Sequence, residues 1–295
     1  MLQRWWQRAG LVRQFLRSGG RVGWDRDVRT AVATRPVEGG RVMRVSVRSY
    51  RELRRVHEFG RNPRDVVWKW LNWIDDCRMF YDIGASNGME GLYALHRHAC
   101  TVVFVEPYTP SIESILKSLY MARRDHPNLP AAEVVHAGCG AEENYARLLM
   151  HGAPNAGENL NTFQDASAYI HYAGDDRRQS AVLSQWVKGI TLDALVAVHG
   201  LPEPSHVKID VDGFEGRVME GARALLHGGG VESWAIEVNG PENLGAIATK
   251  MTAAGYVEAD RFEHYPGVTP STFDIVYLRP ARLDDWRAFD RFPRS

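Results

Sequence analysis

Met79-Phe80-Tyr81-Asp82-Ile83-Gly84-Ala85-Ser86-Asn87-Gly88 is an apolar run that ends in an acid and opens into a loop of small residues. Met89 to Leu95 follows with helical periodicity. A strand, a tight turn and a helix N-terminus in that order make the first crossover of a doubly wound α/β sheet. Gly84 and Gly88 let the backbone turn sharply and let a ligand approach it closely.

The acid at the strand tip discriminates between ligands. A pyrophosphate site offers bare backbone N–H groups and the positive end of a helix. Asp82 would repel phosphates and suit a ligand that brings positive charge and hydroxyls. S-adenosylmethionine has a sulfonium, an ammonium and a ribose, and no phosphate. The spacing Asp82-x-Gly84-x-x-x-Gly88 also lacks the Gly-x-Gly-x-x-Gly of dinucleotide sites. A glycine-rich turn after the first strand is, by itself, compatible with any α/β protein.

The 295 residues suffice for one large α/β domain with extensions, and 44% hydrophobic with 24% charged residues is ordinary for a globular chain. The formal net charge of zero is unevenly spread. Met1 to Arg64 holds sixteen Arg against five Asp or Glu, a net +11, so the remainder carries −11. A basic N-terminal face and a mildly acidic catalytic part are expected. Three cysteines, Cys77, Cys100 and Cys139, are odd in number and outside metal-ligand spacing. They argue for a reducing, cytoplasmic compartment and against a disulfide framework or structural zinc. No apolar run approaches the ~18–20 residues of a membrane span. The basic N-terminus has no apolar signal core, so export by the standard route is not expected.

Leu2, Trp5, Trp6, Ala9, Val12, Phe15 and Leu16 recur at helical spacing among Arg4, Arg8, Arg13, Arg17 and Arg21. Such a helix packs its apolar stripe onto the domain or a second subunit, or lies in a membrane interface. Gly23 to Gly40 reads as a connector, Val42 to Val47 as a short strand or edge hairpin, and Tyr50 to Phe59 as a helix. Asn62-Pro63-Arg64-Asp65 starts a Trp-rich helix, Val66 to Ile74, that would pack beside the first strand.

Thr101 to Glu106 is a second buried strand that also ends in an acid, where α/β proteins hold the ribose hydroxyls of an adenosine. Glu133 to His136 is a third strand. Ala137-Gly138-Cys139-Gly140 is then a small-residue turn beside an adenine, and Tyr145 to Met150 a further strand. The polar stretch 151–186 reads as an insertion acting as a substrate cap. His206 to Glu215 carries alternating charge to a strand tip and passes into a helix from Phe214 to Leu225. Glu232 to Asn239 is the next strand, and Tyr256 to Phe262 with Phe273 to Leu278 a closing antiparallel pair. Residues 1–74 are thus an N-terminal basic extension, 75–280 the ligand-binding domain and 281–295 a tail.

Tyr81-Asp82-Ile83-Gly84-Ala85-Ser86-Asn87-Gly88, Val105-Glu106-Pro107, Leu192-Asp193-Ala194-Leu195 and Lys208-Ile209-Asp210-Val211-Asp212-Gly213-Phe214-Glu215 together resemble the FkbM family of S-adenosylmethionine-dependent methyltransferases. The resemblance runs from about Asp75 to Pro280, and its last motif is the most specific. It implies a mostly parallel seven-stranded sheet with the last strand antiparallel, as in class I methyltransferases. It also implies O-methylation of a sugar, glycolipid or secondary metabolite. The family often has an acid in the turn after the third strand; this chain has Cys139-Gly140 there. No pattern in the insertion matches the family, and Met1 to Ile74 lies outside the resemblance.

Position and resemblance together assign Asp82 and the loop Gly84, Ala85, Ser86, Asn87 and Gly88 to the methionine portion of the donor. They assign Glu106 to its ribose, and Cys139 and Gly140 to the adenine. Asp210 and Asp212 are candidate bases, with His171 as an alternative. Asp210, Asp212, Glu237 and Asn239 are hard oxygen groups that would suit magnesium or calcium. They are read here as a hydrogen-bonded network, so a divalent cation is conceivable but no metal site is assigned. Lys208 pairs with Glu215 or Asp210, or touches the substrate. The expected partners are a small-molecule or glycan acceptor and, through the basic helix, a membrane surface at the periphery. Nucleic acid is not expected, because no aromatic-proline base-reading tetrapeptide is present. An NAD-dependent oxidoreductase and a non-catalytic scaffold are the competing readings.

Overall fold

The computed structural model describes residues 2–62, 64–150, 162–163, 183–264, 266 and 271–289. Helix α1 (Leu2–Arg17) leads into an antiparallel meander, β1 (Arg21–Asp25), β2 (Thr30–Pro36) and β3 (Val42–Val47). The stretch from Gly23 to Gly40 is therefore mostly paired strand and not a connector. Its glycines and alanines have low strand propensity, and packing overrides it: Val32 and Ala33 are buried, and the Ser46 N–H donates to Ser118 Oγ at 2.9 Å. Asp25 closes the first hairpin by accepting from the N–H of Asp27 and pairs with Arg44 and Arg124. The Arg124 guanidinium foremost, and then the backbone N–H groups of Val28 and Asp27, hold its carboxyl down at about 2 against burial. Part of the N-terminal basic excess is thus engaged inside the fold.

Helix α2 (Tyr50–Glu58) starts at a capping box in which Ser49 Oγ accepts from Glu52 N and Glu52 reaches back. Glu52 also receives the Ser114 hydroxyl, which ties the cap to the domain. Helix α3 (Val66–Trp73) is capped by Asp65, whose carboxylate accepts from Trp68 N at 2.9 Å.

The parallel half follows as β4 (Met79–Ile83), α4 (Met89–His98), β5 (Thr101–Val105), α5 (Thr109–Asp125) and β6 (Ala132–Val135). A four-stranded side sheet comprises β7 (Gly138–Cys139), β8 (Asn144–Met150), β9 (Thr162–Phe163) and β10 (Leu183–Ile190). The end of the expected cap, 183–186, is therefore strand; most of the rest of that segment, His171 included, lies outside the described residues. The chain continues as α6 (Leu192–Ala197), β11 (His206–Ile209), α7 (Glu215–Glu220), α8 (Arg223–Gly228), β12 (Ser233–Asn239), α9 (Pro241–Ala253), β13 (Val257–Glu263), β14 (Thr272–Leu278) and, after a 3-10 turn, α10 (Leu283–Ala288). The single helix expected from Phe214 to Leu225 is broken at Gly221. There the backbone passes so close to Gly140 that a Cβ would lie 2.1 Å from its carbonyl oxygen.

The large sheet has the order β13-β14-β12-β11-β4-β5-β6, with β14 the one reversed strand. This is the seven-stranded sheet the sequence predicts. One face, with Phe80, Phe104, Ala235 and Val276, forms a continuous core with Leu11, Phe15, Val45 and Trp70 of the N-terminal elements. Trp70 lies 5.5 Å from Phe80 ring to ring, and its indole N–H donates to Ser233 Oγ at 2.7 Å. The first 74 residues thus share the domain's core. The opposite face, with Ile83, Ile209, Ile236 and Ile275, packs under Leu195, Met219 and Met251. Among the described residues no helix is long and apolar enough to cross a membrane.

Candidate active site

Strand pairing sets the site. Asp82 and Lys208 are register partners on β4 and β11, so both side chains leave the same face of the sheet. Asp82 is wholly buried; its Oδ2 accepts from Gly91 N at 2.9 Å and its Oδ1 is 3.4 Å from Lys208 Nζ. Lys208 is also 3.4 Å from Asp210 and donates to the Gly84 carbonyl at 3.3 Å. Burial alone would lower the Lys208 pKa. Asp210, Asp82, Glu90 and Glu237 outweigh it, so the ammonium is held above its ordinary value. The Asp210 pairing agrees with the sequence reading. Glu215 instead accepts from Gly213 N at 2.8 Å and from Asn239.

The loop turns as its glycines suggest: Gly84 has φ +71°, Gly88 +76° and, without the freedom of glycine, Ser86 +51°. A Cβ on Gly84 would stand 1.8 Å from the Asp210 carbonyl oxygen. Gly84→Ala combines a left-handed backbone with a backbone collision and is expected to destabilise the fold by about 2–4 kcal/mol, read by chemical denaturation. An unchanged midpoint would show that the two loops do not meet there.

Glu106 follows β5 and is locked by two backbone donors, Ser86 N at 2.7 Å on Oε2 and Tyr108 N at 2.8 Å on Oε1. Burial pushes its carboxyl up to about 7 against those hydrogen bonds. Asn87 is buried, and its Nδ2 has no partner among the described residues.

A cavity of about 300 Å³ lies over the ends of β4, β11, β12 and β14, and Glu106, Gly84, Ser86 and Gly88 are not on its wall. Ala85, Asn87, Lys208 and Asp210 form part of its wall, as do Glu237 and Asp274. Asp82 is not on that wall; it lies beneath and anchors Lys208 and the start of α4. Asp212 has φ +50° and is not on the wall either, though its carboxylate is within 4.8 Å of those of Asp210 and Glu237. Cys139 is in a short strand, not a turn, with its thiol in the apolar core, where burial pushes it up to about 12. Gly140 N is taken by the Ile190 carbonyl at 2.9 Å. Asn239 belongs to the polar network: its Oδ1 accepts from the Thr272 hydroxyl at 2.9 Å, and its amide reaches Glu215 and Glu237.

The opposite wall was not foreseen. Arg55 and Glu58 come from α2, Asp65 and Trp68 from the cap and first turn of α3, and Glu90 from α4. Burial pushes Asp65 up to about 6 and Glu90 up to about 7. His264 and Asp274 come from the closing hairpin, 2.7 Å apart. The acid inside the apolar run Phe273 to Leu278 was the one available signal for this part of the wall.

A seven-stranded sheet with one reversed strand, a strand-tip acid on each of β4 and β5, and a glycine loop between them define a class I methyltransferase fold. The FkbM methyltransferase domain model matches residues 82–258, more than half of the chain. The chain belongs to the FkbM methyltransferase family. No match was found among curated proteins.

Among solved structures, the methyltransferase FkbM of Methylobacillus flagellatus is 15% identical with a TM-score of 0.43. That match covers 68% of this chain and 44% of the other, so this chain spans under half of that protein's length. The precorrin-6y C5,15-methyltransferase of Geobacter metallireducens is 11% identical with a TM-score of 0.40, over 73% of this chain and 87% of the other. The METTL16 methyltransferase domain is 9% identical with a TM-score of 0.44, over 83% and 86%.

Proposed function

We propose that this chain is an S-adenosylmethionine-dependent O-methyltransferase whose acceptor is a hydroxyl on a sugar, glycolipid or secondary metabolite. The observation that carries the reading is Asn87: a buried amide donor without a partner among the described residues, on the wall of a cavity otherwise rich in carboxylates. A donor molecule with one carboxylate and two cationic centres matches both features. Asn87 would take the carboxylate, and the acids around it would favour the ammonium and sulfonium. Glu106, with its orientation fixed by Ser86 and Tyr108, would accept from the ribose hydroxyls. A dinucleotide pyrophosphate would face the same acids, so the oxidoreductase reading is disfavoured.

S-adenosylmethionine supplies a methyl carbon already activated by its sulfonium, and the C–S electron pair stays on sulfur. The chain must align the acceptor, exclude water and remove the hydroxyl proton. Asp210, a partly exposed carboxylate on the cavity wall, would take that proton. Lys208, 3.4 Å behind it, holds the carboxylate in place.

Calorimetric titration with S-adenosylhomocysteine tests the donor site. Wild type is expected to bind, and Glu106→Gln to bind at least about tenfold more weakly, since charged hydrogen bonds are worth roughly 1.5–3 kcal/mol. The sign of the pH dependence follows from Glu106. Its carboxyl ionises near pH 7, and the ionised form accepts ribose hydroxyls better. Affinity should therefore rise with pH, by about tenfold between pH 6 and 8 if the ionised form alone binds. No binding to folded wild type would sink the reading.

A further inference from the structure

Among the described residues, two triads of potential metal ligands share Glu237. One, Asp210, Asp212 and Glu237, is purely acidic, and its Asp210 is already paired with Lys208. The other, Glu237, His264 and Asp274, mixes two carboxylates with an imidazole. One donor atom from each of these three lies within 4.8 Å of the other two.

The sheet fixes this second triad. Glu237 and Asp274 are register partners across β12 and β14, so their side chains stand side by side. Like charges directly opposite on neighbouring strands are destabilising unless a cation comes between them. His264, just after β13, closes the third side with Nε2 2.7 Å from Asp274.

The surroundings are short of positive charge. Glu237 has the carboxylate oxygens of Asp210, Asp212 and Asp274 all within 4.8 Å of its own. Glu215 is wholly buried beside this group, linked to Glu237 through the Asn239 amide at 3.4 Å to each. Its Oε2 has no hydrogen-bond partner among the described residues. Six carboxylic acids line the cavity, against Arg55, Lys208 and His264.

We propose that Glu237, His264 and Asp274 hold a divalent transition-metal ion that binds a hydroxyl oxygen of the acceptor. Imidazole with carboxylates selects manganese, iron or zinc over magnesium and calcium. Three protein ligands leave coordination positions open to the cavity, where an acceptor oxygen can sit and lose its proton more easily. Asp210, on the same wall, stands ready to receive that proton. The role in acceptor binding rests on the methyltransferase reading; the ion site itself does not.

The test is Mn²⁺ titrated into the full chain after treatment with a chelator, with free Mn²⁺ followed by paramagnetic resonance. Wild type is expected to take up one equivalent, and Asp274→Asn and Glu237→Gln to bind at least about tenfold more weakly. Pulsed resonance on wild type should show coupling to an imidazole nitrogen, which needs no variant to fold. Absence of saturable uptake by the folded wild type, or uptake without imidazole coupling, would overturn the site. S-adenosylhomocysteine is titrated into the same samples. Donor binding without Mn²⁺ uptake removes the ion and leaves the methyltransferase reading; Mn²⁺ uptake without donor binding does the reverse.

Discussion

Replacing Lys208 by methionine is expected to destabilise the fold by about 3–5 kcal/mol, because it strands a buried carboxylate without its counter-charge. Lys208 has a side chain 7% exposed, and Asp82 beneath it is wholly inaccessible. Methionine fills a similar volume, so packing contributes little to the loss. The melting temperature should drop by about 10 °C.

Two controls separate charge from shape. The loss should shrink as pH falls. Without Lys208 the Asp82 carboxyl is raised in the folded state above its unfolded value, so its destabilising effect is full above that raised pKa and fades below it. The double variant Lys208→Met, Asp82→Asn should recover most of the stability, since asparagine keeps an oxygen for Gly91 N and carries no charge. Equal losses at pH 5 and pH 8, with no recovery in the double variant, would show that Lys208 acts through packing.

That ion pair also marks what a sequence can reveal. Asp82, the loop from Gly84 to Gly88 and Glu106 were legible because each signal is local: an apolar run, a terminal acid, glycines at turn spacing. Lys208 was visible as a charge inside a strand, but its partner was not. Asp82 lies 126 residues earlier and becomes a neighbour only when β4 and β11 pair in register. The same holds for Asp274, brought beside Glu237 by the reversed strand. Arg55, Asp65 and Trp68 were missed for another reason. They lie on or cap helices whose amphipathic pattern says only that one face is buried, and not that the face roofs a cavity. Gly23 to Gly40 reads as a connector because its turn-forming residues are a local signal, whereas the burial that β2 gains against the domain is not.

Asp210→Asn is expected to lower the rate of methyl transfer by about 10²–10⁴-fold at saturating donor and acceptor, the usual contribution of a positioned general base. The measurement is single-turnover transfer from S-adenosylmethionine to the first hydroxyl acceptor that supports activity. Donor affinity should change little, because the donor contacts proposed above are with Asn87 and Glu106, and neither is hydrogen-bonded to Asp210. Asp210 is partly exposed, with a side chain 32% accessible, so losing its pairing with Lys208 should cost the fold little. Asp212→Asn is the matched control: it removes a charge from the same acidic group, but Asp212 does not line the cavity. If Asp212→Asn lost as much activity as Asp210→Asn, the effect would be the field of the cluster and not proton transfer. If the Asp210 variant regained rate as pH rose while wild type levelled off, the role of Asp210 would be supported directly. The alkoxide would then form in solution, and the missing acceptor for the proton would no longer limit the step.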